Sequence, residues 1–472
     1  MTAASKPSSS SEEFPPPTQH PAPVPLPLRS RPWIIAVLVT LIAFVDFFIY
    51  AAVIPILPTI VQDEFGLGPA YTGYLVGAFG SYPPVMAQAG GLLVATPIFG
   101  LVSDRLHDRK WPIVISLTGL TAASLLFLIC SKYWHYVSVR ILQGIAAAGN
   151  WTVSLALISD VFPANQLGAT MGTVMAGISA GGLLGPAVGG GLYGALGPHS
   201  PYYLFTGLSV FALVLRLVVD EHPAIAAKEK VRAAAMDATT AKSENTVPPL
   251  LVLVREPAVW VNCLAVIFEG AAMAGLEPVL PPWLTANFGT SVSENGFMFL
   301  ALGLPELFVG PLTGWLCDRH SPHVIMILGL ASTAIALPML PLPATLPVCI
   351  AVYILVGIVL PVAMIPTLPD MGNMVARKYS AASGQVYACF NVAYALSMFI
   401  GTVGHASPPS PPESDRVLTR APDTTDRSDR VESALRGRRA HGVDGLVLGR
   451  DGVRHAALYL VLSQVPLAFV TD

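Results

Sequence analysis

The sequence predicts an all-helical protein that crosses a membrane many times and is built from two similar halves. Three observations lead there. The 472 residues are 53% hydrophobic and only 12% charged, with a mean hydropathy of +0.62, whereas a soluble domain carries about 25% charge. Long apolar runs then succeed one another along the chain, most of them able to cross a hydrocarbon core of about 30 Å. Finally, a charged motif, Gly100-Leu-Val-Ser-Asp104-Arg105-Leu-His107-Asp108-Arg109-Lys110-Trp-Pro112, comes back as Gly314-Trp-Leu-Cys-Asp318-Arg319-His-Ser-Pro-His323 between two later runs. Such clusters cannot lie in hydrocarbon, so each reads as a tight aqueous turn between membrane helices. The alternative, a charge cluster that only sets topology, does not explain two copies in matching register.

Taken in order, residues 1–30 are rich in Ser and Pro without an apolar core, and read as a disordered cytoplasmic tail and not a cleaved leader. Runs at 33–57, 72–102, 111–130, 134–159, 168–196 and 202–219 make a first bundle over residues 31–220. A polar linker, 221–250, carries Lys228, Lys230, Arg232 and Lys242. Runs at 257–284, 293–316, 323–341, 346–368 and 383–404 make a second bundle over residues 251–404. A short run in 456–472, with Pro466, is the candidate twelfth span, so the second half is either complete or defective in its last one or two helices.

Two stretches break this plan. As one helix, the run 72–102 would reach roughly 46 Å, and Ser81-Tyr82-Pro83-Pro84 falls inside it, so the helix is broken or about ten residues are extra. Residues 405–455 hold nine arginines among prolines, on the side where few are expected, and read as an aberrant disordered insert. Basic residues otherwise gather in the tail, alternate short loops and the linker, which puts the N-terminus and linker in the cytoplasm.

Composition also excludes function classes. A formal net charge of -3 argues against nucleic acid as a partner. Cys130, Cys263, Cys317, Cys349 and Cys389 have no paired spacing and read as small buried residues, so no metal centre is expected. No Gly-x-x-x-x-Gly-Lys-[Ser/Thr] loop occurs, so the reading is a carrier without ATP site or cofactor, not an enzyme.

The repeated Gly-x-x-x-Asp-Arg turn, followed by further basic residues such as Arg109, resembles the loop between helices 2 and 3, and again 8 and 9, of the major facilitator superfamily. The resemblance implies the major facilitator fold, about twelve helices in two six-helix halves around a central cavity. In the fourth run, Arg140-Ile-Leu-Gln143-Gly144 resembles that family's basic motif; an intramembrane guanidinium needs a carboxylate or carbonyl partner, and function and plain structural pairing stay open. In the fifth run, Gly181-Gly182-Leu-Leu-Gly185-Pro186-Ala-Val-Gly189-Gly190 matches the family's antiporter motif. Small residues at these offsets let a helix press on its neighbour, and the proline bends it; generic packing is the alternative. The first turn departs from the family in having His107 and Asp108 where a glycine is usual.

Asp46 lies about thirteen residues past Trp33, roughly 20 Å along a helix and near the bilayer midplane. A lone carboxylate there is costly unless it faces a water-filled cavity, where it can exchange a proton for a cation, or is satisfied by a neighbouring helix. Glu269 and Glu277 are eight residues apart, roughly on one helix face. With Pro55, Pro58 and Leu276-Glu277-Pro278-Val279-Leu280-Pro281-Pro282-Trp283, these acids resemble the vesicular amine and acetylcholine branch of the drug:proton antiporters, and the likeness looks strongest to fungal members. The resemblance makes Asp46 the contact for a cationic substrate nitrogen and Glu277 a second cavity acid. Asn391 stands where vesicular amine carriers have an aspartate important to proton coupling; asparagine can hydrogen-bond but cannot carry a proton. Glu306 and Asp370 are further acids for which inter-helix pairing is at least as good a reading, and Tyr50, Trp151, Phe268, Tyr387 and Phe390 could form a cation-binding wall, although most aromatics here pack or mark the interface.

The expected function is proton-coupled antiport, by efflux or vesicular or vacuolar sequestration, of an amphiphilic, cationic organic compound. The partners expected are the lipid bilayer, protons and that solute, with the chain acting as a monomer in the plasma membrane or a vacuolar or vesicular membrane. Two alternatives stay open: a facilitator or symporter of a neutral or anionic metabolite, and a non-transporting member, either a sensor or a damaged copy.

Overall fold

The computed structural model describes residues 26–61, 65, 87–106, 108–235, 250–290, 292–378 and 382–403. The expectations for most of the tail, for Ser81-Tyr82-Pro83-Pro84, for the insert 405–455 and for the run in 456–472 lie outside the described residues.

Within them the chain is helical. The first set is α1 (Pro32–Val53), α2 (Ala87–Leu106), α3 (Lys110–Leu126), α4 (Tyr133–Val161), α5 (Ala164–Leu196) and α6 (Ser200–Val218). The second is α7 (Pro257–Phe288), α8 in two pieces (Val292–Gly303 and Glu306–Arg319), α9 (Pro322–Ala336), α10 in two pieces (Leu346–Met364 and Thr367–Lys378) and α11 (Ser383–Val403). Ten helices, α1 to α10, include a stretch long and apolar enough to cross a membrane. Prolines punctuate them for a simple reason: proline fits the first turn, where its missing N–H has no partner anyway, and interrupts a helix elsewhere. Pro32, Pro257 and Pro322 open α1, α7 and α9, whereas Pro305 and Pro366 fall at the breaks in α8 and α10. Gly289, at φ 66°, ends α7 in the left-handed conformation that glycine adopts without strain.

The polarity is inverted relative to a soluble protein. Val94, Ile98, Val102 and Leu106 make an exposed apolar stripe at four-residue spacing down α2, and Val324, Ile327, Leu328 and Ile335 make another, at spacings of three, four and seven or eight, on α9. Asp46, Arg140, Asn150, Glu269, Gln385 and Asn391 are buried. Lipid would solvate the outer stripes; only the interior can satisfy polar groups.

Two departures from the sequence reading stand out. Asp104 and Arg105 still belong to the last turn of α2, so the aqueous turn is confined to the few residues before Lys110. The linker is not simply polar chain: His222–Ala235 is a helix, and its Lys228 Nζ donates to the Ser159 carbonyl near the end of α4 at 2.5 Å. Nearby, Arg216 at the end of α6 pairs with Glu221 at 2.6 Å, both side chains buried, which anchors the start of that helix.

Helices α1 and α5 run together along a glycine seam. Cβ atoms at Gly181, Gly185 and Gly189 would come within 2.6, 2.7 and 2.6 Å of the carbonyl oxygens of Phe44, Phe48 and Ala52. Both series step by four residues, so each turn of α5 meets one turn of α1 backbone to backbone. Gly190 faces Pro55 instead, and Pro186 sits within the helix. Replacing Gly185 by Ala is expected to destabilise the protein by about 1–3 kcal/mol, because backbone atoms cannot step aside. The same change at Gly191, where a Cβ meets nothing within 4 Å, is expected to be neutral or slightly stabilising. Thermal unfolding of the purified protein in detergent checks both; equal losses would remove the seam from this account.

Candidate functional site

The duplicated motif makes two crossings at one end of the bundle. At the first, a Cβ on Gly100 would lie 2.7 Å from the Gly384 carbonyl oxygen, so α2 and α11 touch through their backbones. One helical turn on, Asp104 accepts hydrogen bonds from the backbone N–H groups of Gly384 and Gln385, both at 2.8 Å, and so caps the N-terminus of α11. At the second, Gly314 of α8 packs against Gly168 of α5, and Asp318 accepts from the N–H groups of Gly168 at 2.6 Å and Ala169 at 2.8 Å. The two crossings reciprocate: an aspartate on a helix of each set accepts from backbone N–H groups of a helix of the other.

Arg109 reinforces only the first. It donates through Nη1 to Asp104 at 2.9 Å and to Ser103, through Nε to Asp160 at 2.8 Å, and through Nη2 to Ser383 at 2.6 Å. Ser383 in turn donates to Asp160 at 2.8 Å. Burial works against its charge, but Asp160 and Asp104 more than offset this, so the guanidinium is held above its ordinary basicity. In the second half His323 takes a comparable place, 3.2 Å from Asp370, which also accepts from Asn262 at 2.7 Å. Arg105 is exposed, and Arg319 lies over the Trp315 ring at 4.0 Å. Neither arginine is the one that closes the network.

Deeper in the bundle, Asp46 of α1 is 5% exposed and accepts from Asn150 Nδ2 at 3.2 Å and Trp151 Nε1 at 3.0 Å, both from α4. The next residue, Thr152, accepts from Asn391 Nδ2 of α11 at 2.9 Å. Three consecutive residues of α4 thus connect the first-half acid to the second half. Aromatic rings continue from Trp151: Phe47 at 6.0 Å, with Tyr50 at 5.3 Å beyond it, and Tyr394 of α11 at 5.5 Å. Arg140 lies 5.5 Å from the centre of the Tyr50 ring and donates to Gln143 at 2.9 Å. Glu269 is buried on α7; Glu277 lies on the same helix, but its side chain is outside what the structure describes.

Of the five aromatics named from the sequence, two fall in this ring series and two in the core. Tyr50 and Trp151 lie along one ring series, whereas Tyr387 and Phe390 are fully buried in the packing, with Tyr387 Oη donating to the Leu368 carbonyl at 3.2 Å. Phe47, Tyr394, Asn150 and Thr152 were not read from the sequence. Asn150 and Thr152 did carry a signal, as polar residues in the middle of an apolar run; the two added aromatics carried none.

The family profile of the Major Facilitator Superfamily matches residues 39–402. The chain belongs to that superfamily. As a superfamily transporter it is similar to an uncharacterised MFS-type transporter of Schizosaccharomyces pombe, 24% identical over 79% of this chain and 88% of the relative. It is also similar to the mouse vesicular acetylcholine transporter, 27% identical over 66% of this chain and 58% of the relative, and to the human synaptic vesicular amine transporter, 23% identical over 66% and 57%. Among solved structures, the human organic anion transporter TETRAN superposes with a TM-score of 0.63 at 16% identity, covering 80% of this chain and 93% of that one. The proton:xylose symporter XylE gives 0.62 at 16% identity, covering 92% and 96%. Such likenesses establish the fold, not the solute.

The motif end yields a test. Replacing Arg109 by Gln leaves Asp104 and Asp160 without their shared cation, and removing one partner of a buried pair costs about 3–5 kcal/mol. That cost falls on the closed crossings, so the population is expected to shift toward a state open at this end. Cys317, 5% exposed and next to Asp318, is a native reporter. Its labelling by a membrane-permeant maleimide is expected to speed at least about tenfold, equivalent to about 1.4 kcal/mol. Unchanged labelling in a folded variant would show that the network does not hold the end closed.

Proposed function

We propose that this superfamily transporter is a proton-coupled antiporter of an amphiphilic organic cation. The observation that carries the reading is Asp46. Among the described residues, this buried carboxylate has no cationic side chain in an ion pair with it, and its partners are a neutral amide and an indole N–H. A carboxylate beside a series of aromatic rings fits a ligand ammonium, which the acid attracts by charge and the rings by their quadrupoles. The same oxygen atoms can take a proton instead, so proton and cation exclude one another at one place. That competition is the simplest form of antiport.

Helices 31–220 and 251–404 act as two units that rock about this centre, with the crossings at Asp104 and Asp318 closing one end in the state described. The distribution of basic residues turns that end, with the N-terminus and linker, toward the cytoplasm. Glu277 and Glu269 supply further cavity acids, Arg140 sets the local charge, and Asn391 positions Thr152 without titrating. One chain suffices, in either the plasma membrane or a vacuolar or vesicular membrane. The names of the vesicular acetylcholine and amine carriers support a cationic solute for this chain.

Proteoliposomes with an imposed pH gradient, offered a panel of organic cations, test the reading. Wild-type protein is expected to accumulate at least one of them only when the gradient is present. Asp46→Asn keeps the size and one of the two accepted hydrogen bonds but loses the titrating charge, and is expected to abolish accumulation while the protein folds normally. Gradient-driven flux at wild-type rate in this variant would sink the role given to Asp46; transport of neutral or anionic solutes alone would favour a symporter or facilitator.

A further inference from the structure

Both copies of the repeated motif place a basic residue five positions after the aspartate, Arg109 in the first and His323 in the second. Only the first carries a permanent charge. His323 stands in the first turn of α9 with its side chain half exposed, and its Nδ1 lies 3.2 Å from Asp370 Oδ1 in the first turn of the second piece of α10. The other carboxylate oxygen, Oδ2, accepts from Asn262 Nδ2 of α7 at 2.7 Å. Asp370 is thereby held in place from a second side.

The pair forms one joint of a ring of helices at the second crossing. Asp318, near the end of α8, holds the Gly168 and Ala169 N–H groups of α5, and only His320 and Ser321 separate α8 from α9. The second piece of α10 returns to the same stretch of α5, where a Cβ on Gly372 would collide with the Leu167 side chain. Two contacts with α5 therefore lie between the helix sets, and the joint of His323 with Asp370 ties together the elements that make them. Strengthening that joint makes the two contacts harder to release singly.

Acid strengthens it. A neutral imidazole can donate one hydrogen bond to Asp370, whereas an imidazolium donates the same bond with its charge behind it. Histidine is the side chain whose ordinary titration falls between about pH 5 and 8. Other ionisable groups on the elements packed against this end of α9 are already engaged or remote. Asp318 spends both oxygens on α5, Arg319 lies over the Trp315 ring, and Lys378 pairs with Glu256 at 2.7 Å. Cys317 is a buried thiol, Tyr387 of α11 donates to the Leu368 carbonyl, and the first piece of α10 has only Cys349 and Tyr353, toward its far end. His320 and Arg377 are exposed. Of these, His320 is the one that also titrates near neutrality.

We propose that His323 and Asp370 form a pH-sensitive latch, which closes the motif end of this transporter more firmly as the solution bathing it turns acidic. Binding is a simple protonation: an aqueous proton adds to the free imidazole nitrogen and leaves again as pH rises. The extra hold is present while the imidazole is charged and is lost as pH climbs through the histidine range, whereas the Arg109 network is indifferent over that range. The inference goes beyond the antiport reading and does not use it, since it requires only a superfamily transporter that opens and closes at this end.

Labelling of Cys317 by a membrane-permeant maleimide, read by mass spectrometry on the full chain in lipid nanodiscs, reports opening while both ends share one pH. Each rate is divided by that of His323→Gln at the same pH, which cancels the ordinary pH dependence of the thiol and the titration of other acids. A cation near the thiol would itself speed labelling, so slowing reports closure. Wild-type protein is expected to match His323→Gln near pH 8 and to label about two- to fivefold more slowly near pH 5.5, the size of a half-exposed ion pair. His323→Arg is expected to label slowly at both pH values, as a permanent cation would dictate. Asp370→Asn is expected to lose the pH-dependent slowing and His320→Gln to keep it. A wild-type ratio that does not change with pH, slowing that survives Asp370→Asn or vanishes in His320→Gln, or a His323→Arg protein as fast as His323→Gln would each overturn the proposal.

Discussion

The structure depends on one local arrangement made twice: a carboxylate that accepts from two successive backbone N–H groups of a helix that its own helix crosses at a glycine. Asp104 of α2 accepts from Gly384 and Gln385 in the first turn of α11, and Asp318 of α8 accepts from Gly168 and Ala169 just past the first turn of α5, each at a crossing too close for any side chain. In an apolar interior a missing hydrogen bond costs several kcal/mol. The glycine and the aspartate are therefore one device. The glycine permits the approach, and the approach brings the aspartate within reach.

The two crossings are alike in geometry and unlike in charge. At the first, Arg109 gathers Asp104, Asp160 and Ser383, so α2, α4 and α11 are joined through a single guanidinium. At the second, Asp318 relies on backbone donors, while Asp370 is held by Asn262 and His323 instead of an arginine. A pair of helix sets with equal latches would have no preferred first step in opening. Here the uncoupling cost is concentrated at Arg109, and the linker helix reaches the same corner through Lys228 and the Ser159 carbonyl.

Farther along the bundle, polar side chains are placed at contacts between helices and not scattered through them. Asn150, Trp151 and Thr152 spend consecutive positions of α4 on Asp46 and Asn391, so the first-half acid and α11 are held within one turn of the same helix. Phe47 belongs to both worlds: its ring stands over Gly182 in the α1–α5 seam and beside Trp151 in the aromatic series. A seam of glycines on α5 thus supports the geometry around Asp46, so one helix pair carries both the packing motif and the buried acid.

Much of this was written in the sequence in local terms. Apolar length gave the spans, because a bilayer of fixed thickness accepts only segments of matching reach; the repeated Gly-x-x-x-Asp gave the two halves; Gly181, Gly185 and Gly189 announced a close helix neighbour by their four-residue step. Each is a property of one segment and its solvent. Partner identity is not. Nothing near Asp104 in the chain points to Gly384, 280 positions away, nor does Asp318 announce Gly168, 150 positions away, since hydropathy is blind to which faces meet. Tyr387 and Phe390 looked as eligible for a cavity as Trp151 did, and packing alone put them in the core. Tertiary structure decided the pairings because burial, and with it the demand of every buried polar group for a partner, exists only once the helices have come together.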